Sequence, residues 1–245
     1  MGSRPARGSG GTSCRDCRVR GRWAWEMVGY AGSIAEGQGR DLSLAQQAEY
    51  LAEWLRALDV GPVLVVGRDL GGGVAQILAV RHRALLRGLV LMKAVCYDSW
   101  PIPSVKMMQT APGLVASLPR PALRVLLASL FLRAHDDRAC ARESFAQHWP
   151  PYAAPGGAAA FARQVQALHT EDTLAITDGL ARLDLPARIV WGAADQFQKV
   201  GYGERLARDL RAPLDRIEGG KHFVPEDHAE RVAGAINMLR ALVAR

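Results

Sequence analysis

The feature that most constrains this chain is a short alternation near its first third. "VLVV" at residues 63–66 is a β-branched apolar run with no polar alternation, which suits a strand buried on both faces. "GGGVAQILAVRHRALL" follows at once as a helix, and "GLVLMKAV" as another buried strand. Strand, helix and strand joined by connections this tight make a parallel βαβ unit. The same grammar returns late in the chain. "ARIVWGA" reads as a strand, "GERLARDL" as a helix, "PLDRIEG" as a strand, and "PEDHAERVAGAINMLRALVAR" as a closing helix with Val232, Ile236, Leu239 and Val243 on one face. The fold class is therefore α/β, a mostly parallel sheet flanked by helices.

Upstream, "SLAQQAEYLAEWLRAL" sets Ala48, Leu51, Leu55 and Leu58 at helical spacing, with Ser43 as the cap and Gly61-Pro62 as the stop. Residues 101–180 interrupt the α/β pattern. They open on "PIPSV", carry "WPPYAAPGG" at their centre, and have helical stretches around 121–133 and 157–169, so they read as a helical insertion. The expected organisation is a segment without a core at 1–25, an α/β core at 26–100 and 181–245, and the insertion at 101–180.

Charge separates the first segment from the rest. The 245 residues carry a net +7, and residues 1–22 hold six Arg (Arg4, Arg7, Arg15, Arg18, Arg20, Arg22) against Asp16. That segment is rich in Gly, Ser and Arg and has almost no large apolar residue, so it cannot build a core. It lacks the apolar centre of a secretory signal. Nucleic-acid binding through this basic tail is the weaker alternative function, and it predicts salt-dependent affinity that vanishes when residues 1–22 are removed. Cys14 and Cys17 have CxxC spacing without the second pair that a structural zinc site needs, so no metal is expected. With Cys96 and Cys140 far apart nothing demands a disulfide, and a reducing cytoplasm fits. No apolar run is long enough to span a membrane.

The chemistry centres on "VGRDLGG". Gly67-Arg68-Asp69-Leu70-Gly71 has the spacing of a nucleophile elbow with Asp at its centre. A helix start beside Asp69 favours its ionised form, which needs no base to activate it. Taken alone, the position suits a plain helix cap equally well.

"VGRDLGGGVAQ", together with "IVWGAADQF", "EGGKHFVPEDHAERV" and "EMVGYAGS", resembles the α/β-hydrolase fold superfamily, within it the Asp-nucleophile branch of haloalkane dehalogenases and epoxide hydrolases. The order of nucleophile, acid and histidine agrees with that resemblance. It implies Asp69 as nucleophile, Asp195 as the acid that orients the imidazole, with Asp98 as the alternative acid, and His222 as base. His82, His135, His148, His169 and His228 need no special role. The resemblance further implies an oxyanion donor at the Leu70 N–H, a helical cap at 101–180, and Trp100, Tyr97, Tyr152 and Trp149 as residues that contact substrate. Lys93, at a strand end near the site, would favour an anionic leaving group. The expected partner is a small organic substrate, with no cofactor; oligomeric state is not legible.

Two departures from the family stand out. The fold usually places about four strands and a His-Gly motif ahead of "GYAGS", and this chain has only about 25 residues there, mostly Arg and Gly. The resemblance thus implies a core lacking its N-terminal strands and its second oxyanion donor, with apolar surface exposed. That makes a non-catalytic remnant the main alternative to an active hydrolase. Leu70 also stands where dehalogenases commonly carry Trp.

Overall fold

A computed structural model of the protein describes residues 21–244; the Arg-rich segment up to residue 20, with Cys14 and Cys17 and the binding alternative built on it, lies outside them. Among the described residues the sheet has four parallel strands: β1 (Val63–Arg68), β2 (Leu86–Met92), β3 (Ala187–Gly192) and β4 (Leu214–Ile217). They lie side by side in chain order, β1-β2-β3-β4.

Helix α1 (Leu44–Leu58) precedes β1, and α2 (Asp69–Arg81) connects β1 to β2. α1 begins as the sequence predicts, with the Ser43 side chain accepting the Gln46 N–H. Asp172 from a distant turn adds a second cap, accepting the Leu44 and Ala45 N–H groups at 2.8 and 3.3 Å. α2 is buried continuously from Gly72 to Ala79 because it is wedged between the sheet and α1.

Between β2 and β3 come eight helices: α3 (Pro103–Gln109), α4 (Pro112–Ala116), α5 (Arg120–Ala134), α6 (Arg138–His148), α7 (Pro150–Ala153), α8 (Gly157–Gln166), α9 (Glu171–Leu174) and α10 (Thr177–Arg182). Part of this stretch has its own apolar cluster around Leu123, Leu127 and Phe145. α11 (Val200–Asp209) links β3 to β4. The closing helix expected from residue 225 onward is two helices, α12 (Val224–Asp227) and α13 (Ala229–Val243), because His228 leaves helical geometry at φ −134° and ψ 49°. None of the described helices is long and apolar enough to cross a membrane.

The two faces of the sheet bury separate clusters. One gathers α1, α2 and α11 around Leu78, Leu89, Ile189 and Trp191, and the other packs α13 on Val90, Val190 and Ile217. β1 is the exception to the buried-strand expectation. Among the described residues it pairs only with β2, and Val66 is 40% exposed. A groove of about 760 Å³ runs along that outer edge, floored by Val63, Val65, Leu51 and Ile236.

Candidate active site

Three loops leave the C-terminal ends of β1, β3 and β4 and converge, which is where parallel sheets usually place their ligands. The first turn is sharp. Asp69 has φ 49°, a left-handed conformation that costs a non-glycine residue energy and must be held by its surroundings. Two glycines permit it: a Cβ on Gly67 would lie 2.5 Å from the Gly71 carbonyl oxygen, and one on Gly72 would lie 2.3 Å from Ala94 Cβ. Gly71, the second glycine of the expected motif, has open space around its Cα hydrogen. The close approach thus falls one residue later than the spacing predicts. The Val95 N–H donates to the Asp69 carbonyl at 3.1 Å and ties the turn to the segment after β2.

The second loop carries Asp195 and the third His222. Gly192, at the end of β3, lets them meet, since a Cβ there would strike the Gly220 and Lys221 carbonyl oxygens at 2.3 Å. The helical insertion also anchors the histidine: the N–H groups of His222 and Phe223 both donate to the Ala134 carbonyl at the end of α5.

The resulting line of side chains is compact. His222 Nδ1 is 2.8 Å from Asp195 Oδ2, and Nε2 is 3.6 Å from Asp69 Oδ1, in contact but too long for a hydrogen bond. With Nδ1–H donating to Asp195, the ring presents Nε2 to Asp69. The Phe197 N–H donates to Asp195 Oδ1 at 2.7 Å and fixes the carboxylate plane. Desolvation works to raise the Asp69 carboxyl pKa, but the neighbouring His222 and Arg68 outweigh it and hold it below the ordinary range. Burial likewise opposes ionisation of Asp195, and His222 and Lys93 reverse it. Burial disfavours the charged imidazole, yet the two carboxylates raise the His222 pKa above its usual value.

Asp69 and His222 open onto a cavity of about 230 Å³ whose other walls, apart from Gln198, are apolar, among them Leu70, Val95, Trp100, Ile102, Phe131 and Phe223. The cavity suits a small, largely apolar molecule. Leu70 is the second residue of α2, so its N–H belongs to the first helical turn, where amides have no intrahelical acceptor.

Several predicted positions lie elsewhere. Of the four aromatic residues expected to contact substrate, Trp100 lines the cavity, with its indole N–H donating to Thr173 at 2.7 Å. Tyr97 is buried with its hydroxyl donating to Asp209, Tyr152 donates to Gln164, and Trp149 stacks on Phe145; each is turned to packing, away from the cavity lining. Asp98 is exposed and interacts with Tyr202, whereas the ring nitrogen it would need to reach faces Asp195. Lys93 points away from the cavity, fully buried against Asp195 and two carbonyls, so it offers no charge to a leaving group.

Sequence reasoning missed Tyr30. The motif "EMVGYAGS" marks the fold, but nothing in it singles out this side chain. Its hydroxyl is buried without a hydrogen-bond partner, and burial, with the charges of Tyr152 and Asp69, raises its pKa. Val28 exchanges two hydrogen bonds with Gln47, and Gly29 accepts one from Gln164, which fixes this loop between α1 and α8. Among the described residues no group of histidine, cysteine and carboxylate side chains is arranged to hold a metal ion.

Comparison with known proteins agrees with the architecture. A family model described as "Alpha/beta hydrolase family" matches residues 12–235. A 2-hydroxymuconate semialdehyde hydrolase of Pseudomonas putida is 35% identical over 120 residues, which are 48% of this chain and 41% of that protein. The match thus spans less than half of that relative's length. Among solved structures, an α/β hydrolase fold protein from Burkholderia ambifaria superposes with a TM-score of 0.75 at 24% identity, covering 90% of this chain and 78% of the other. A thermophilic esterase from Thermogutta terrifontis gives 0.67 at 20% identity, covering 83% and 74%. Both likenesses concern the fold.

Proposed function

We propose, for a chain that belongs to the alpha/beta hydrolase family, that it hydrolyses a small organic substrate through a covalent ester on Asp69, in the manner of a haloalkane dehalogenase or an epoxide hydrolase. The observation that carries this reading is the placement of His222 Nε2 3.6 Å from a carboxylate at the elbow rather than from a hydroxyl.

The chemistry divides into two steps. In the first, an Asp69 oxygen attacks an electrophilic carbon held in the cavity and forms a C–O bond; the carbon–halogen bond breaks and the halide leaves with its electron pair, or the epoxide carbon–oxygen bond breaks and the ring oxygen keeps the pair and takes a proton from water. A depressed carboxyl pKa supplies this nucleophile without a base. In the second, His222 Nε2 takes a proton from water, the hydroxide adds to the Asp69 carbonyl carbon, and collapse of the tetrahedral species releases the product alcohol, which receives the proton. Asp195 stabilises the imidazolium formed in between. The Leu70 N–H is the donor for the tetrahedral oxyanion. The segment between β2 and β3 serves as the cap, since Trp100 and Ile102, just before α3, and Phe131, on α5, close the cavity from that side.

Intact-mass spectrometry after incubation with a panel of haloalkanes and epoxides tests the reading. An adduct should build up in His222→Gln and be absent from Asp69→Asn. Neither adduct nor turnover with any member of the panel would remove it. A second reading, a chain that binds substrate without turning it over, draws on the outer edge of β1, which pairs with no strand among the described residues. In this fold the second oxyanion donor ordinarily comes from a loop after the third strand. That reading predicts neither adduct nor turnover with any member of the panel, whereas an adduct that forms in the wild-type protein and is not hydrolysed would point to a missing second oxyanion donor.

A further inference from the structure

Lys93 follows β2 in the left-handed region, φ 43°, and its side chain is fully enclosed. A lysine taken out of water without partners becomes neutral. Here three acceptors meet its three N–H groups: Asp195 Oδ2 at 2.9 Å, the Gly192 carbonyl at 2.8 Å and the Gln198 carbonyl at 2.7 Å. The Trp191 ring lies 4.7 Å from the ammonium, and its indole N–H donates to the same Gln198 carbonyl.

The Asp195 oxygen that Lys93 contacts is the one that His222 Nδ1 contacts, at 2.8 Å. A fixed cation and a titrating imidazole therefore share one oxygen, which puts their nitrogens within about 6 Å of each other. A carboxylate that faces an imidazole alone favours the imidazolium, and a cation on the same oxygen cancels much of that preference.

We propose that Lys93 is a positioning residue that sets the basicity of His222 through Asp195: it holds the shared oxygen in place and withholds part of its charge from the ring, so that His222 takes up a proton less readily than it would facing Asp195 alone and is more readily able to accept one from water. The proposal rests on His222 being the base of the reaction above. Burial lowers the Lys93 pKa to about 8, with Asp195, Asp69 and Cys96 acting to raise it, which leaves the ammonium charged at neutral pH.

The other groups around the ring do not compete for Asp195. Asp69 faces Nε2, and Arg68 lies beside it with its guanidinium 4.0 Å from the Phe223 ring. On the α5 side, His135 pairs with Asp227 and lies 3.8 Å from Glu226, and Lys221 donates to the His135 carbonyl and to no atom of Asp195. Asp136 is taken up by His228 and the Lys221 N–H.

The test is an NMR titration of ring-labelled histidine in the substrate-free protein, comparing wild type with Lys93→Met, Lys93→Gln and Lys93→Arg. Both neutral variants should raise the His222 pKa by about one unit or more, while Lys93→Arg, which keeps the charge, should stay within roughly 0.3 units of wild type. A folded neutral variant with His222 unchanged or lowered would overturn the proposal and leave Lys93 a packing residue. Should neither neutral variant fold, labelled lysine in the wild type decides. Lys93 should remain an ammonium at pH 7, and its deprotonation should register as a second step in the His222 ring shift. A neutral Lys93, or a His222 signal that ignores its titration, overturns the proposal equally. No substrate enters these measurements, so the Asp69 ester stands or falls separately, on the adduct.

Discussion

Asp69 and His222 are shifted in opposite directions by each other, and this gives the site a distinctive response to pH. The Asp69 carboxyl titrates below its ordinary 3.8 and the His222 imidazole above its ordinary 6.5. In the window between them Asp69 is ionised while His222 is protonated, the states the proposed route needs for its first step and not for its second. Ester formation then proceeds and ester hydrolysis stalls, so the wild-type adduct seen by rapid quench and intact mass should be larger at pH 5 than at pH 8. Esterification removes the Asp69 charge that helps raise the His222 pKa. The acid limb of hydrolysis should therefore lie below the His222 pKa of the free protein. An adduct level indifferent to pH would mean that His222 is not the base. At this scale the sequence was legible where a residue's role is set by its neighbours in the chain. Asp69 sits in a local turn, and Asp195 and His222 each follow a strand and a glycine. It was opaque where direction matters: what Lys93, Tyr97 and Tyr152 face depends on residues about 12 to 110 positions away in the chain.

The elements around the elbow were readable as types and less so at their boundaries. The apolar run predicted β1 as 63–66, yet the strand continues to Arg68 and α2 begins at Asp69 itself, ahead of the "GGGV" where the helix was read to start. Tertiary contact decides this, because Gly72 packs its backbone against Ala94 and so allows the helix to start early. Replacing Gly72 with Ala should cost about 1–3 kcal/mol, since the added methyl meets Ala94 Cβ at 2.3 Å in a packed core. Gly71→Ala, with open space at the same helical turn, should instead stabilise the protein by about 0.5–1 kcal/mol. Urea denaturation separates the two, and equal costs at both positions would contradict the placement of the close contact. The helices between β2 and β3 were foreseen only at 121–133 and 157–169. Of the other six, α6 spans eleven residues without a clear apolar stripe, and the remaining five have four to seven residues, three of them beginning at proline, too few turns for periodicity to show.

For the molecule as a whole, the parallel pairing of β1 with β2 and of β3 with β4 follows from the two βαβ patterns, whereas the β2–β3 junction was not legible because a long helical insertion separates those strands. Among the described residues, apolar surface lies along β1, where Val66 is exposed and Trp23, Trp25 and Leu51 line the groove. Exposed apolar surface next to an unpaired strand edge favours association. Val66→Lys should lower the binding of a hydrophobic dye and reduce light scattering, while changing urea stability by no more than about 0.5 kcal/mol. Unchanged dye binding would mean that the groove is covered in solution. The edge lies beside the elbow without including Asp69, so Asp69, His222 and Asp195 are held together by β1, β4 and β3 whether or not that edge is covered.

The central claim, that Asp69 itself becomes the ester, is tested most directly by a single turnover in water labelled with oxygen-18, followed by mass analysis of the peptide containing Asp69. Because water attacks the Asp69 carbonyl carbon, the label should enter the carboxylate of the enzyme, and the first product molecule should retain unlabelled oxygen. Label found in the product alone, with the Asp69 peptide unchanged, would show water attacking the substrate directly and would contradict the account.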